Sequence, residues 1–145
     1  MTEREGDVWT TACDAVCVPT NGKIDSSGAL VMGAGMALRA KQLYPDLPRR
    51  AGRLVDLYGN TPFSFEFGDK KVVTFPTKRD WREKASLRLI ENSALALVRM
   101  ADREGWKAVA LPRVGAGLGG LDWADVKAVL SPLLDDRFVV VSYPE

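Results

Sequence analysis

The sequence contains no histidine among its 145 residues. This absence excludes Ser–His–Asp and Cys–His nucleophilic sites, zinc sites with histidine ligands, and an imidazole base that titrates near neutral pH. Any catalysis must therefore use Lys, Asp, Glu, Asn, Tyr or Cys side chains, or the dipoles of the backbone. We expect no metal site and no cofactor.

Cysteine is scarce as well, since Cys13 and Cys17 are the only two. Two thiols cannot complete a four-ligand zinc site. The residues around them are typical of extended chain, in which these positions lie too far apart for a disulfide. We expect free, buried thiols, as is usual in a reducing cytosol.

Long hydrophobic runs are absent, because no apolar segment approaches the roughly 20 residues that a membrane-spanning helix needs. The first residues also lack the pattern of a signal peptide. We therefore expect a cytoplasmic protein with no membrane partner.

The composition is that of an ordinary soluble domain, with 46% apolar and 27% charged residues. A chain of this length predicts one domain, over residues 1–145. The net charge of +1 gives no overall reason to expect nucleic-acid binding. Any such binding must depend on a local concentration of charge.

Predicted strands and helices alternate along the chain, which indicates an α/β sandwich with a largely parallel or mixed sheet. The apolar patterns predict strands at residues 14–19, 63–67, 71–75, 109–111 and 138–143. Helical spacing predicts helices at residues 36–44, 47–58, 87–104 and 123–134. Ser86 is placed to cap the third helix and Gly105 to end it, whereas Pro132 limits the fourth or ends it early.

Two glycine-rich loops precede predicted helices, Gly28–Gly35 and Gly115–Gly120. Glycine lets backbone N–H groups approach a ligand closely, and a helix N-terminus adds a partial positive charge. Together these features favour a phosphate or diphosphate ligand. Neither loop matches a P-loop or a dinucleotide fingerprint, and the alternative is that the glycines only make tight turns.

Two polar residues are candidates for contacts to a ligand. Asp7 follows Gly6 and can accept a hydrogen bond from an exocyclic amine, or merely cap a turn. Asn21 follows the 14–19 strand and can orient a sugar hydroxyl, or simply form an Asn-Gly turn. The residues alone leave both alternatives open.

The segment Lys70–Arg88 holds seven basic residues against two acidic ones. Lys78 lies within it, just after the 71–75 strand, and Trp81 is close enough to stack on a base or ring. The alternative is a solvated basic face on which Trp81 is half-buried.

Three motifs together resemble the macrodomain family, whose members bind ADP-ribose. They are MGAGMALRAKQLYP at residues 32–45, FPTKRDWREKAS at residues 75–86 and LPRVGAGLGGLDW at residues 111–123. The last two look like the DarG branch, antitoxins that remove ADP-ribose from DNA thymidines modified by a partner toxin. The first is also similar to the terminal-ADP-ribose glycohydrolases, which act on acidic side chains of proteins. The catalytic Asp of that second branch is matched here by Gly119, which argues against its mechanism.

The resemblance implies a three-layer α/β/α macrodomain sandwich with a mixed, largely parallel central sheet. It also implies that Lys78 is the catalytic lysine near the anomeric carbon and that Asn21 faces the distal ribose as a second catalytic residue. Asp7, beside Val8, would hold the adenine amine. The other implied ADP-ribose-binding residues are Gly33, Ala34, Gly35, Met36, Pro76, Thr77, Arg113, Gly115, Ala116, Gly117, Leu118, Gly119, Gly120 and Leu121.

This chain has two features that differ from the DarG pattern. Residues Gly22–Leu30 are inserted between Asn21 and the MGAG segment, and only five residues precede Gly6, so that the family's first strand would be almost absent.

The function that the resemblance implies is an ADP-ribosyl glycohydrolase acting on thymidine-linked ADP-ribose in DNA. DNA would contact Lys70–Arg88, and a cognate ADP-ribosylating toxin would be a further partner. The alternatives are a non-catalytic ADP-ribose-binding module, a protein-glutamate ADP-ribosyl hydrolase and an ADP-ribose 1″-phosphate phosphatase.

Overall fold

A computed structural model describes residues 1–144, which form one six-stranded sheet and four α-helices. The strands are β1 (Thr2–Glu5), β2 (Ala15–Thr20), β3 (Ser64–Phe67), β4 (Lys70–Pro76), β5 (Val109–Leu111) and β6 (Phe138–Ser142). The helices are α1 (Gly35–Leu43), α2 (Leu47–Tyr58), α3 (Leu87–Glu104) and α4 (Trp123–Leu130). Short 3-10 turns at Val8–Thr10 and Gly117–Gly119 complete the secondary structure.

The sheet has the strand order β1-β6-β5-β2-β4-β3. All neighbouring pairs are parallel except β3 with β4, which are antiparallel and joined by a turn at Gly68 with φ +62°. The carboxyl ends of five strands therefore meet at one edge, where ligands of open α/β sheets bind.

Helices cover both faces of the sheet. On one face, α3 and α4 bury apolar residues such as Leu97 and Leu130 against alternate sheet residues such as Cys17 and Phe75. On the other face, α1 and α2 pack over Val18 and Val72 among others. The expectation of a three-layer, largely parallel α/β/α sandwich is confirmed.

The local signals for α3 act as the sequence predicts. Ser86 Oγ accepts a hydrogen bond from the backbone N–H of Leu89 at 3.2 Å, and Gly105 ends the helix with φ +70°. At α4 the helix ends at Leu130, before Pro132, whose ring cannot donate a backbone hydrogen bond. Asp122 occupies the N-cap position, but its side chain makes no capping hydrogen bond.

The expectation that the first strand is almost absent is wrong. Thr2–Glu5 forms β1, which pairs in parallel with β6 at the edge of the sheet. All four residues are exposed, so the strand carries no alternation of apolar and polar residues that a pattern search can detect.

Residues Gly22–Leu30, which the resemblance predicts to be an insertion, form a compact hairpin. Asp25 and Ala29 pair through a backbone hydrogen bond of 2.8 Å, and Leu30 N–H donates to the carbonyl of Pro48 at the start of α2. Gly52 of α2 lies so close that a Cβ there would be 2.2 Å from the carbonyl oxygen of Gly28. The hairpin thus packs directly against the α2 backbone.

Both cysteines are free, with Cys17 fully buried and Cys13 half-buried. Burial raises the pKa of both thiols. Within residues 1–144, no group of three His, Cys, Asp or Glu side chains is placed to hold a metal ion. No helix in the same residues has the length and apolarity to cross a bilayer.

Candidate active-site cleft

A cleft of about 660 Å³ opens at the carboxyl edge of the sheet. Its floor is formed where β2, β4 and β5 end, at Thr20, Thr77 and Pro112. Its sides are the two glycine-rich loops and the segment that holds Lys78.

The first loop presents the N-terminus of α1 to the cleft. The N-cap residue, Ala34, has no side chain able to accept a hydrogen bond, and the first backbone bond of the helix runs from Leu38 N–H to the Ala34 carbonyl. The amides of Gly35, Met36 and Ala37 therefore have no acceptor within the helix, and all three residues line the cleft. Such a group of free N–H donors at the positive end of a helix favours an anion.

The second loop faces the first across the cleft. Gly115, Gly117 and Gly120 have φ of +78°, +64° and +78°, values that L side chains rarely adopt. Leu121 N–H donates to the Gly115 carbonyl at 3.0 Å and closes the loop. The two loops approach closely, because a Cβ on Gly35 would lie 2.8 Å from Cδ1 of Leu118, a side chain that is 72% exposed.

Lys78 follows β4 on a segment fixed by hydrogen bonds. Thr77 N–H donates to the Thr20 carbonyl at 2.9 Å, and the Thr77 carbonyl accepts from Ser86 N–H at 2.8 Å. The Lys78 carbonyl accepts from Nδ2 of Asn60 at 3.2 Å. With the backbone fixed on both sides, the half-buried Lys78 side chain lines the cleft.

The cleft is cationic. Lys78 and Arg113 line it, and within residues 1–144 no Asp or Glu is among the lining residues. Asp80 lies on the Lys78 segment outside the lining, where hydrogen bonds from the Arg82 guanidinium and backbone hold the pKa of its carboxyl well below the usual range. An anionic group in the cleft would meet free amides and two positive side chains, with no opposing carboxylate.

Asn21 lines the cleft, but its amide is bonded within the chain. Nδ2 donates to the Val31 carbonyl at 2.9 Å, and Oδ1 accepts from Lys23 N–H at 2.8 Å. The side chain therefore ties Lys23 and Val31, at the two ends of the 22–30 hairpin, to the end of β2. A contact from Asn21 to a ribose stays a prediction, and it depends on the remaining hydrogen of Nδ2 or the second lone pair of Oδ1.

Asp7 lies at the end of β1, outside the cleft lining. Its Oδ1 accepts from Trp9 N–H at 2.9 Å and from the Tyr143 hydroxyl at 3.2 Å. Desolvation, together with the adjacent carboxylate, raises the pKa of Tyr143. Val8 is buried in an apolar cluster against which the cleft residue Met36 packs. The adenine role of Asp7 stays a prediction.

Most of the residues chosen from the sequence meet in this cleft. Those that line it are Asn21, Gly33, Ala34, Gly35, Met36, Thr77, Lys78, Arg113, Gly115, Ala116, Leu118 and Gly119. Those that do not line it are Asp7, Val8, Pro76, Gly117, Gly120 and Leu121.

Six lining residues were absent from the set of site residues chosen from the sequence, namely Pro19, Thr20, Val31, Ala37, Trp81 and Pro112. Trp81 lines the cleft, and its place three residues after Lys78 was the available signal. Thr20 forms part of the floor, and its buried hydroxyl has no hydrogen-bond partner within the described residues. Its signal was its position at the end of a strand, immediately before Asn21.

Comparison with known proteins gives the same family in sequence and in structure. A family model described as Macro domain matches residues 63–130. A DNA ADP-ribosyl glycohydrolase of Mycobacterium tuberculosis is 34% identical over 104 residues, which is 67% of this chain and 30% of that protein. A DNA ADP-ribosyl transferase–DNA ADP-ribosyl glycohydrolase fusion protein of Thermosipho africanus is 29% identical over 152 residues, covering 90% of this chain and 37% of the relative. The chain thus spans about a third of the length of these relatives.

Two solved structures extend the match over nearly the whole chain. The macrodomain of Mycobacterium tuberculosis DarG has a TM-score of 0.84 and 29% identity, covering 99% of this chain and 97% of that one. Thermosipho africanus DarTG in complex with ADP-ribose has a TM-score of 0.81 and 28% identity, covering 98% of this chain and 41% of that one. The chain belongs to the macrodomain family and resembles the DarG macrodomains in both sequence and fold.

Proposed function

We propose that this chain is an ADP-ribosyl glycohydrolase that removes ADP-ribose from thymidine in DNA. The cleft would bind the ADP-ribose with its diphosphate between the two glycine-rich loops. Lys78 would act at the anomeric carbon of the distal ribose.

The observation that carries the proposal is the composition of the cleft wall. Free backbone amides at the start of α1 face a loop with left-handed glycines, and a single lysine stands on the β4 side. A diphosphate requires N–H donors and positive potential, whereas hydrolysis at a sugar requires a group that can act on C1″. Lys78 is the residue of the wall that fits the second need, because no carboxylate lines the cleft within residues 1–144.

The proposed reaction breaks the bond between C1″ and the atom of thymine that carries the ADP-ribose. The bonding electron pair leaves with the base, which takes up a proton, and water supplies the hydroxyl at C1″. The products are ADP-ribose and unmodified DNA. Charge on the ribose in an oxocarbenium-like transition state is characteristic of glycosyl transfer.

Lys78 has two possible roles in this reaction. As a neutral amine it attacks C1″ and displaces the base, and water then hydrolyses the covalent intermediate. As an ammonium it donates a proton to the departing base or positions the substrate through charge.

The related proteins support the choice of substrate. The Mycobacterium tuberculosis relative is named a DNA ADP-ribosyl glycohydrolase, and the Thermosipho africanus DarTG structure contains ADP-ribose. The Lys78 segment and the second glycine-rich loop both lie within residues 63–130, which match the Macro domain family model.

The test is to incubate the protein with two substrates in parallel, an ADP-ribosylated thymidine oligonucleotide and a protein ADP-ribosylated on glutamate. Release of ADP-ribose from the oligonucleotide alone is expected. Release from the protein alone would assign the chain to the glutamate-directed branch. Binding of free ADP-ribose without release from either substrate would make it a binding module, and no binding at all would contradict every form of the proposal.

A partner transferase follows from the same proposal. One relative joins a DNA ADP-ribosyl transferase and a glycohydrolase in a single chain. We expect that co-expression of this protein rescues cells from a DNA ADP-ribosyl transferase, and that a Lys78→Ala variant does not. The proposal also predicts that the protein is located in the cytoplasm, where it would meet the modified DNA.

A further inference from the structure

Trp81 occupies an unusual position for a large aromatic residue. Its side chain is 54% exposed, although it lines the cleft beside Lys78 on the same loop. The residue therefore adds little to the core, and its ring is open to solvent at the wall of the cleft.

The indole ring of Trp81 is supported on one face by a neighbouring side chain. The Arg82 guanidinium lies over the ring, with Cζ 5.5 Å from the ring centroid. Arg82 is held in turn by Asp80, since Nε donates to Oδ1 at 2.9 Å and Nη2 to Oδ2 at 2.8 Å. A ring supported by a fixed guanidinium offers its remaining surface as a flat platform, and such a platform loses little entropy when a second ring stacks on it.

Exposed positive charge surrounds this platform. Arg79 precedes it with a side chain that is 85% exposed and lies 3.8 Å from the Glu83 carboxylate. Lys84 follows it and packs beside Gly120 of the second loop, and Lys23 of the hairpin at residues 22–30 lies near Asp80. An aromatic ring among cations is the arrangement with which proteins bind single-stranded nucleic acid, where bases stack and phosphates meet Lys or Arg.

We propose that Trp81 is a stacking platform for a nucleobase of the DNA strand that carries the ADP-ribose, with Arg79, Lys84 and Lys23 facing its phosphates. The inference rests on the proposed function and adds a specificity-determining residue to it. An acidic peptide would also be attracted by the cations, but it has no ring to stack on the indole. Trp81 therefore favours DNA over a glutamate-linked protein substrate.

The test measures steady-state kinetics of Trp81→Ala and Trp81→Phe on an ADP-ribosylated thymidine oligonucleotide, and calorimetric affinity for free ADP-ribose. Loss of one base–aromatic stack should raise KM for the oligonucleotide by about 10-fold in Trp81→Ala. Trp81→Phe should recover most of that loss, since it keeps a ring. The affinity for free ADP-ribose should fall by a much smaller factor, because this ligand has no nucleobase beyond C1″.

Tyr58→Ala serves as the matched control. Tyr58 is an aromatic residue of α2 that is 70% exposed and lies outside the cleft lining. This variant should behave as the unmodified protein with both ligands, and the unfolding midpoints of all variants show whether each is folded.

The possible results separate this inference from the proposed function. If the unmodified protein hydrolyses the oligonucleotide and Trp81→Ala has an unchanged KM, the inference alone is wrong. Equal losses for the oligonucleotide and for free ADP-ribose would also overturn it, since Trp81 would then be only a wall of the ADP-ribose site. If the unmodified protein binds ADP-ribose but releases nothing from DNA, the proposed function fails and the inference fails with it.

Discussion

Lys78 combines a fixed backbone with a side chain in an acid-free cleft. The Thr77 amide and the Lys78 carbonyl are both hydrogen-bonded to other segments, at 2.9 Å and 3.2 Å. A substitution of the side chain should therefore leave the course of the loop unchanged. This separation allows chemistry and binding to be tested independently at one residue.

We expect Lys78→Ala to lower kcat on the modified oligonucleotide by at least about 100-fold, the usual size of a lost acid–base or nucleophilic group. The affinity for ADP-ribose should change by only a few-fold, because the α1 amides and the second loop remain. Rapid-quench assays and calorimetry measure the two quantities. Near-normal turnover in the variant would contradict the catalytic role.

Lys78→Arg and borohydride treatment distinguish the two roles of the amine. An arginine keeps the charge but is not a nucleophile, so activity in Lys78→Arg would indicate electrostatic action. If Lys78 attacks C1″, the resulting glycosylamine can open its C1″–O4″ bond to an imine, which borohydride added during turnover reduces to a stable amine. ADP-ribose should then stay covalently attached to the unmodified protein and not to Lys78→Ala. Mass spectrometry detects the adduct.

Two glycines of the second loop allow the cost of steric overlap to be separated from the cost of a left-handed backbone. Gly115 and Gly117 both have left-handed φ, but a Cβ on Gly115 would lie 2.5 Å from Cδ1 of Ile90, whereas one on Gly117 would meet nothing within 4 Å. Gly117→Ala should lower the free energy of unfolding by about 1 kcal/mol, the strain of a left-handed alanine. Gly115→Ala should lose at least about 1 kcal/mol more through overpacking. Denaturant titration measures both, and equal losses would show that the loop relaxes around Gly115.

At the scale of elements, the helices and strands that could be predicted are those whose sequence patterns lie within the element itself. The strand β3 and the helix α3 were predicted because Phe65 alternates with polar neighbours and because Ser86 and Gly105 mark the ends of the helix. β1 was missed because its register depends on β6, more than a hundred residues away, and not on any pattern of its own.

The same limit applies to the site. Glycine-rich loops and Lys78 are visible as motifs, and they do converge at the carboxyl edge. The hydrogen bonds of Asn21 to both ends of the hairpin, and the approach of Leu118 to Gly35, depend on how distant segments pack. A sequence shows which residue types are present at the strand ends, but not which of their polar atoms are already bonded.

The junction of β2 and β5 should give a pH-dependent stability. Asp14 precedes β2, and one carboxylate oxygen accepts from the N–H groups of Ala108 at 2.9 Å and Lys107 at 2.7 Å. These bonds hold the pKa of Asp14 below its ordinary value. The stabilisation is therefore fully present above the unfolded pKa of about 3.9 and is lost as pH falls through the lower, folded pKa.

Asp14→Ala should accordingly lower the free energy of unfolding at pH 7 by about 1 kcal/mol, a small value because the carboxylate is exposed. The difference from the unmodified protein should shrink as the pH falls from about 4, since both chains then lack the charged acceptor. Urea titrations at several pH values measure it. A difference that stayed constant down to the lowest pH would contradict the role of the charge.

At the scale of the whole molecule, the net charge is only +1, but the positive charges are unevenly distributed. The basic segment Lys70–Arg88 is divided by the fold, since Lys70 and Lys71 begin β4 and Lys78 to Lys84 follow its other end. The length of β4 separates the two groups by about 20 Å, at a rise of about 3.3 Å per residue. Only the second group borders the cleft, so DNA bound there should meet few phosphate-binding cations.

This arrangement predicts a modest salt dependence. With about three phosphate contacts, the logarithm of the affinity for a single-stranded substrate should fall with the logarithm of salt concentration with a slope of about −2. Kinetics between low and moderate salt measure this slope through KM. A slope near zero would argue against phosphate contacts, and a much steeper one would require that the strand also reaches Lys70 and Lys71.

The packing of Gly28 on Gly52 makes the structures of two segments that are separate in the chain depend on each other. Because the Gly28 carbonyl occupies the space that a side chain at position 52 would need, the 22–30 hairpin cannot keep this course if Gly52 is replaced by a larger residue. A chimera that transplants residues 22–30 into a relative with a larger residue on that helix would have to carry the glycine along with them.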